Sequence, residues 1–306
     1  MVLKQQLNNA YGGDTLINIQ EEIRLKILDF LSAHGIQCDP NINYTKLLLT
    51  LFDLDRKWVP PKKRIVVYSK ELQEKMHSSL SEDNVELIHL FADKFSNGEN
   101  INNHLSTNIY LPEQYDRLLN QWNIHHLHLN KDEAESKQDM HNNRSGTYLL
   151  FLIDNERVYF LDCVPHLRGN NFADLEFIEI VFKNKWWDVV PLVKLEGVIS
   201  LGAAVRTKED IFALWKSNVN ITAFEFENEF YSVGNKVRLS GDRSLDMDAV
   251  CKLNEILSEC SNDPSLSLLG ITVMENDCIL SISIVHCGSE KRIEIVGDAG
   301  PNCLEL

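Results

Sequence analysis

The sequence predicts an α+β protein with a helical N-terminal part, a central antiparallel sheet and a smaller C-terminal α+β domain. Three observations predict it. Apolar residues recur at helical spacing through the first 100 residues, the period changes to two from about Trp122, and beyond Gly202 a separate run of helix and strand signals begins. A chain of 306 residues exceeds the size at which one hydrophobic core stops growing, about 250 to 300 residues, so more than one domain is expected. The expected division is a helical region over 1–100, a sheet carrying the candidate site over 101–192, and the C-terminal domain over 193–306.

Taken in order, Asn18 followed by Glu21 marks a helix start, and Ile19, Ile23, Ile27 and Phe30 line its face until Gly35 stops it. The apolar run Leu47 to Leu54 predicts a second helix, broken by Pro60 and Pro61. "RIVVY", Arg64 to Tyr68, reads as a strand, and Ser69 caps the helix after it. Leu87, Ile88, Phe91 and Phe95 line another helix, ended by Asn97 and Gly98.

Strands follow over Ile124 to Leu129, Thr147 to Ile153 and Arg157 to Val164, the last two joined by the polar Asp154, Asn155 and Glu156. Asn171 caps a helix with Phe172, Leu175, Ile178 and Phe182 on its face. Pro191 to Gly202 reads as a linker plus a strand. Thr207 with Asp210 starts a short helix, "ITAFEFENEFYSV" a hairpin turning at Asn228, and Ser244 an amphipathic helix carrying Met247, Val250, Leu253 and Leu257. Strands around Ile271 to Met274, Cys278 to Val285 and Arg292 to Val296 complete the last domain.

Apolar runs such as Tyr148 to Ile153 fall far short of the roughly 20 residues a membrane-spanning helix needs, and Met1 opens a polar stretch rather than a signal peptide. A soluble, cytoplasmic protein with no membrane partner is expected. Seven scattered cysteines without a Cys-x-x-Cys pair point to reduced thiols rather than zinc. A net charge of -15 excludes a protein that coats nucleic acid, because such affinity comes from Lys and Arg on phosphates; a small local nucleic-acid site is still compatible. The phosphate loop, the dinucleotide fingerprint and the Gly-x-Ser-x-Gly elbow are all missing.

"WNIHHLHLN" places His125, His126 and His128 on one short strand. Side chains alternate on a strand, so His126 and His128 share one face, about 7 Å apart, while His125 joins Leu127 and Leu129 on the other. With the leucine face on the core, the pair faces solvent or a groove; otherwise these are polar positions of a half-buried strand. The neighbouring hairpin contributes Arg144 before its first strand, Asp162 within its second and His166 just after it. Arg144 would stabilise a phosphoryl charge or simply pair with Asp162, and His166 would move a proton. A metal variant would use His126 and His128 with Asp162 or His166, but an i, i+2 histidine pair is a weak metal signal, so neither metal nor cofactor is expected. Cys163 points away from Asp162 and reads as core.

"GTYLLFLIDNERVYFLDCVPHLR", Gly146 to Arg168, resembles the paired C-terminal strands of RelE/ParE-type toxins, the ribosome-associated ribonucleases and gyrase poisons of the barnase-like toxin group. Leu149, Leu150, Phe151 and Val158 to Cys163 carry the likeness, and His166 falls where the family places its histidine. Tyr148 replaces an in-strand Arg of the family, Pro165 a Gly, and Leu167 the Arg after the histidine, with Arg168 next. The order "LLNQWNIHHLHL", charged loop, hairpin is also similar to bacterial proteins of the anti-phage or abortive-infection kind. The number and placement of these groups, beside a resemblance that carries over His166, lead to the expectation of a metal-independent, toxin-like endoribonuclease in phage defence with RNA as substrate, His126 or His128 as base, His166 as acid and Arg144 as cation. The alternative is a non-catalytic regulatory or interaction component of a defence or toxin-antitoxin system, with a protein partner or inhibitor; its marker would be exposed aromatics, for which Trp186 and Trp187 are the candidates.

Overall fold

The computed structural model describes residues 15–36, 38–106, 116–130, 146–165, 172, 174–190, 192–198, 201–202, 204–217, 219–233, 244–261, 267–275, 278–286, 289–296 and 300–305. The chain is α+β. In order come α1 (Thr15–Ala33), α2 (Tyr44–Lys57), β1 (Ile65–Tyr68), α3 (Lys70–Ser78), α4 (Glu82–Asn97) and α5 (Arg117–Trp122). Then follow β2 (His125–His128), β3 (Thr147–Ile153), β4 (Arg157–Pro165), α6 (Glu176–Lys183), β5 (Leu192–Lys194), α7 (Lys208–Lys216), β6 (Ala223–Phe226) and β7 (Glu229–Val233). The chain closes with α8 (Ser244–Ser261), β8 (Ser267–Glu275), β9 (Cys278–His286), β10 (Ser289–Val296) and β11 (Gly300–Glu305). No helix among the described residues is long and apolar enough to cross a membrane.

Local signals account for most of these bounds. Ser69 Oγ accepts from Leu72 N at 2.8 Å and starts α3, and Gly98, at φ 75°, ends α4 in the left-handed region that suits glycine. Thr207 and Asp210 form a reciprocal capping box at α7. Glu227 and Asn228 both take positive φ, as a two-residue hairpin turn between β6 and β7 requires. Two starts differ from the pattern. α1 begins at Thr15 rather than after Asn18, since nothing in "TLIN" breaks a helix. α6 begins at Glu176, because Asp174 Oδ1 accepts from Glu176 N at 3.1 Å and holds the preceding residues in a turn.

The chain divides into two compact units, Arg56–Arg243 and Met1–Asp55 with Ser244–Leu306. This grouping differs from three successive segments: the first two helices join the C-terminal elements, and the small sheet of β5, β6 and β7 stays with the central one. In the split unit, an antiparallel sheet of order β11-β10-β9-β8 meets α1 at β8 and α8 at β11. Ile19, Ile23, Ile27 and Leu31 of α1 and Val250, Leu253 and Leu257 of α8 are buried there. The fourth strand, β11, has no alternating apolar pattern in "GPNCLE" and carries little strand signal in sequence.

The other unit is built on a sheet of order β1-β4-β3-β2, antiparallel except for the parallel pair β1 and β4. "RIVVY" therefore belongs to the central sheet. On one face, Leu127, Leu149, Phe151, Val158, Phe160 and Cys163 pack against Leu87, Ile88, Phe91 and Phe95 of α4. On the other, Ile124, Tyr148, Leu150, Leu152, Tyr159 and Leu161 pack against α5, α6, α7 and the small sheet β5-β7-β6. Cover on both faces explains why β3 reads as a continuous apolar run and β4 as one interrupted only by Asp162.

Candidate histidine site on strand β2

Asp116 caps α5, its Oδ1 accepting from Leu119 N at 3.1 Å, and Asn123 ends that one-turn helix at φ 57°. The chain thus turns directly into β2. Its register with β3 pairs His126 with Leu150, His128 with Tyr148 and His125 with Phe151. Residues opposite each other share a face, so His126 and His128 lie together with Tyr148 while His125 lies on the α4 side, as alternation predicts.

Exposure differs from the expectation. His125, His126 and His128 are 6%, 8% and 7% exposed, so the pair does not face open solvent. The reason is tertiary: the face opposite the leucines is also covered. Tyr148 sits between the two imidazoles, with ring centroids 5.2 Å from His126 and 4.7 Å from His128. Phe172, which precedes α6, closes on the same group at 5.1 Å from His126 and 5.6 Å from Tyr148. On the far side His125 stacks on Phe151 at 5.2 Å.

At the edge of β2 the two adjacent histidines line a small pocket with Lys57, Ser106 and Asp116. His126 Nδ1 stands 3.7 Å from Asp116 Oδ2. Burial pushes the His125 imidazole down to about 4, with nearby His126 and Arg64 adding to the shift and Asp116 opposing it. His125 is neutral at neutral pH, the state a packed structural imidazole requires.

Asp162 is not free to serve the histidines. A bulge between Leu150 and Phe151 leaves Leu161 as the extra residue on β4, and Asp162, 2% exposed, accepts from Lys75 Nζ of α3 at both oxygens, at 2.8 and 2.7 Å, and from Cys163 N at 2.8 Å. Burial raises its carboxyl above the usual range against the opposing pull of Lys75. Cys163 is buried on the α4 side, and burial pushes its thiol up to about 12, which fits a core residue and not a nucleophile. Among the described residues no group of three or more potential metal ligands comes together.

Arg144 and His166 lie outside the described residues. Their neighbours define where their segments join the sheet. Thr147 pairs with Pro165, and Leu129 N donates to Thr147 O at 3.1 Å, so the end of β2, the start of β3 and the end of β4 stand level. His128 is one residue from that end. Asp116, Lys57, Ser106 and Phe172 were not legible as site residues: they come from four separate segments, and only the cap at Asp116 leaves a local sequence signal. Of the two aromatic interface candidates, Trp186 packs on Tyr159 at 5.1 Å while Trp187 is 49% exposed. Set beside family models, curated proteins and solved structures, the chain matches none of them.

Proposed function

We propose that the protein is a metal-independent, toxin-like endoribonuclease acting in phage defence, with its reacting groups at the His128 end of the central sheet. The observation that carries this reading is the register: His126 and His128 share one face around Tyr148, at the sheet end where β3 begins two residues after Ser145 and β4 finishes at Pro165. A base there, His126 or His128, takes the proton of a ribose 2′-hydroxyl, and the 2′-oxygen attacks the adjacent phosphorus. His166 gives a proton to the departing 5′-oxygen, leaving a 2′,3′-cyclic phosphate and a 5′-hydroxyl, while Arg144 offsets the charge on the phosphoryl oxygens. The net charge of -15 restricts phosphate contact to a few local cations, so short or structured RNA suits the site better than long duplexes.

The test is incubation of purified protein with total RNA under chelation, comparing wild type with His126→Gln, His128→Gln and His166→Ala, each checked for an unchanged melting transition. Cleavage ending in cyclic phosphates, reduced about 100-fold or more by at least two of the substitutions, is expected. RNA left intact by the wild type, together with equal growth of cells expressing wild type and His128→Ala/His166→Ala, overturns the reading.

One observation favours a second reading, a non-catalytic interaction component of a defence or toxin-antitoxin system. Trp187 is half exposed, and Val193 on the outer strand β5 is 56% exposed close by in sequence. A partner retained on purification, lost with Trp187→Ala and indifferent to the histidine substitutions, would mark this role.

A further inference from the structure

The Asp116 carboxylate has its two oxygens in different environments. Oδ1 accepts from Leu119 N as the cap of α5, and Oδ2 points at His126 Nδ1, 3.7 Å away. The cap fixes the side chain, so the orientation toward His126 is set by backbone geometry. Among the described residues, the groups around His126 include His125 and His128 on its own strand, Tyr148 on β3, Lys57 at the end of α2, and Asp116 at the start of α5. Asp116 brings a carboxylate to that group, its Oδ2 3.7 Å from His126 Nδ1. Phe172 covers the ring on the other side and adds no charge.

We infer that Asp116 is a positioning residue for His126: its Oδ2 keeps the proton on Nδ1, leaves Nε2 as the atom that exchanges protons with a substrate, and steadies the imidazolium that forms. A carboxylate behind an imidazole selects one tautomer and favours the charged ring, and such contacts are often longer without substrate than with it. The inference rests on the nuclease reading for its catalytic consequence and chooses His126 over His128 as the base. The pairing itself is independent of that reading.

The experiment exploits the cap. Asn and Ser accept the Leu119 N–H as well as Asp does, so Asp116→Asn and Asp116→Ser remove the charge and keep the helix start. Histidine ring resonances of the full chain are titrated by NMR, with His126→Gln used for assignment. In both variants the His126 midpoint is expected about one unit lower than in the wild type, with unchanged melting temperature. In RNA cleavage, the acid limb of the rate profile moves down with it, kcat falls about tenfold and KM stays the same. A His126 midpoint equal in wild type and both variants overturns the inference, as does a His126 that stays neutral wherever the fold survives. If the wild type leaves RNA intact, the nuclease reading falls while the titration still decides the Asp116 and His126 pair.

Discussion

At β4 a single buried carboxylate depends on one lysine. Asp162 is held by both oxygens on Lys75, and burial raises its carboxyl against that pull. Lys75→Met leaves the acid without its cation, and a loss of about 2 kcal/mol in urea unfolding is expected; Asp162→Asn added to it should restore part of that loss. His125 makes the complementary case. Its imidazole lies at about 4 when folded against an ordinary 6.5, so on acidification the unfolded chain takes the proton first. Stability is full above about pH 6.5, falls between 6.5 and 4, and levels below 4, a total of about 3 kcal/mol from this group. His125→Phe, which retains the ring stack on Phe151, should flatten that fall when urea midpoints at pH 7 and pH 4.5 are compared. The split of the three histidines between two faces was legible in the sequence, because alternation is local. Their burial was not, because Phe172 and α4 come from distant segments.

Among the elements, the sharpest constraint lies at the end of α4. Gly98 has φ 75°, and a Cβ added there would fall 2.8 Å from Lys63 N and 3.0 Å from Lys62 C, both backbone atoms of the segment leading into β1. Gly98→Ala is expected to cost about 2 kcal/mol by thermal unfolding, more than a helix-interior glycine change would give in the opposite sense. Thr207→Ala, which removes half of the capping box of α7, should cost about 1 kcal/mol in the same measurement. Elements with strong local chemistry were readable: the Ser69 cap, the Gly98 stop, the hairpin at Asn228 and β3 to the residue. α5 was missed because six residues are too few to display a helical period, and β11 because "GPNCLE" has neither alternation nor β-branched residues.

Across the whole chain, the first helices share a unit with the last sheet. Gln20 Nε2 reaches Asn254 Oδ1 at 3.3 Å, and α1 packs on β8. Truncation after Arg243 uncovers Ile23, Ile27 and Leu31, so the shortened protein is expected to bind a hydrophobic dye and aggregate where the full chain stays monodisperse in light scattering. A clean, soluble truncation product would show that α1 and α2 need no C-terminal sheet.

By itself the sequence determined the α+β class, the extent of most helices and strands, and the pairing of His126 with His128 on one side of β2. These follow from hydrogen bonds and periodicities within a few neighbouring residues. The tertiary structure alone decided that "RIVVY" joins the central sheet, that the outer helices of the chain pack together, and that Lys75 meets Asp162. It also decided that the histidine pair is covered and that His126 faces Asp116. Each of these depends on which apolar faces find one another across long stretches of chain, and no local pattern encodes that choice.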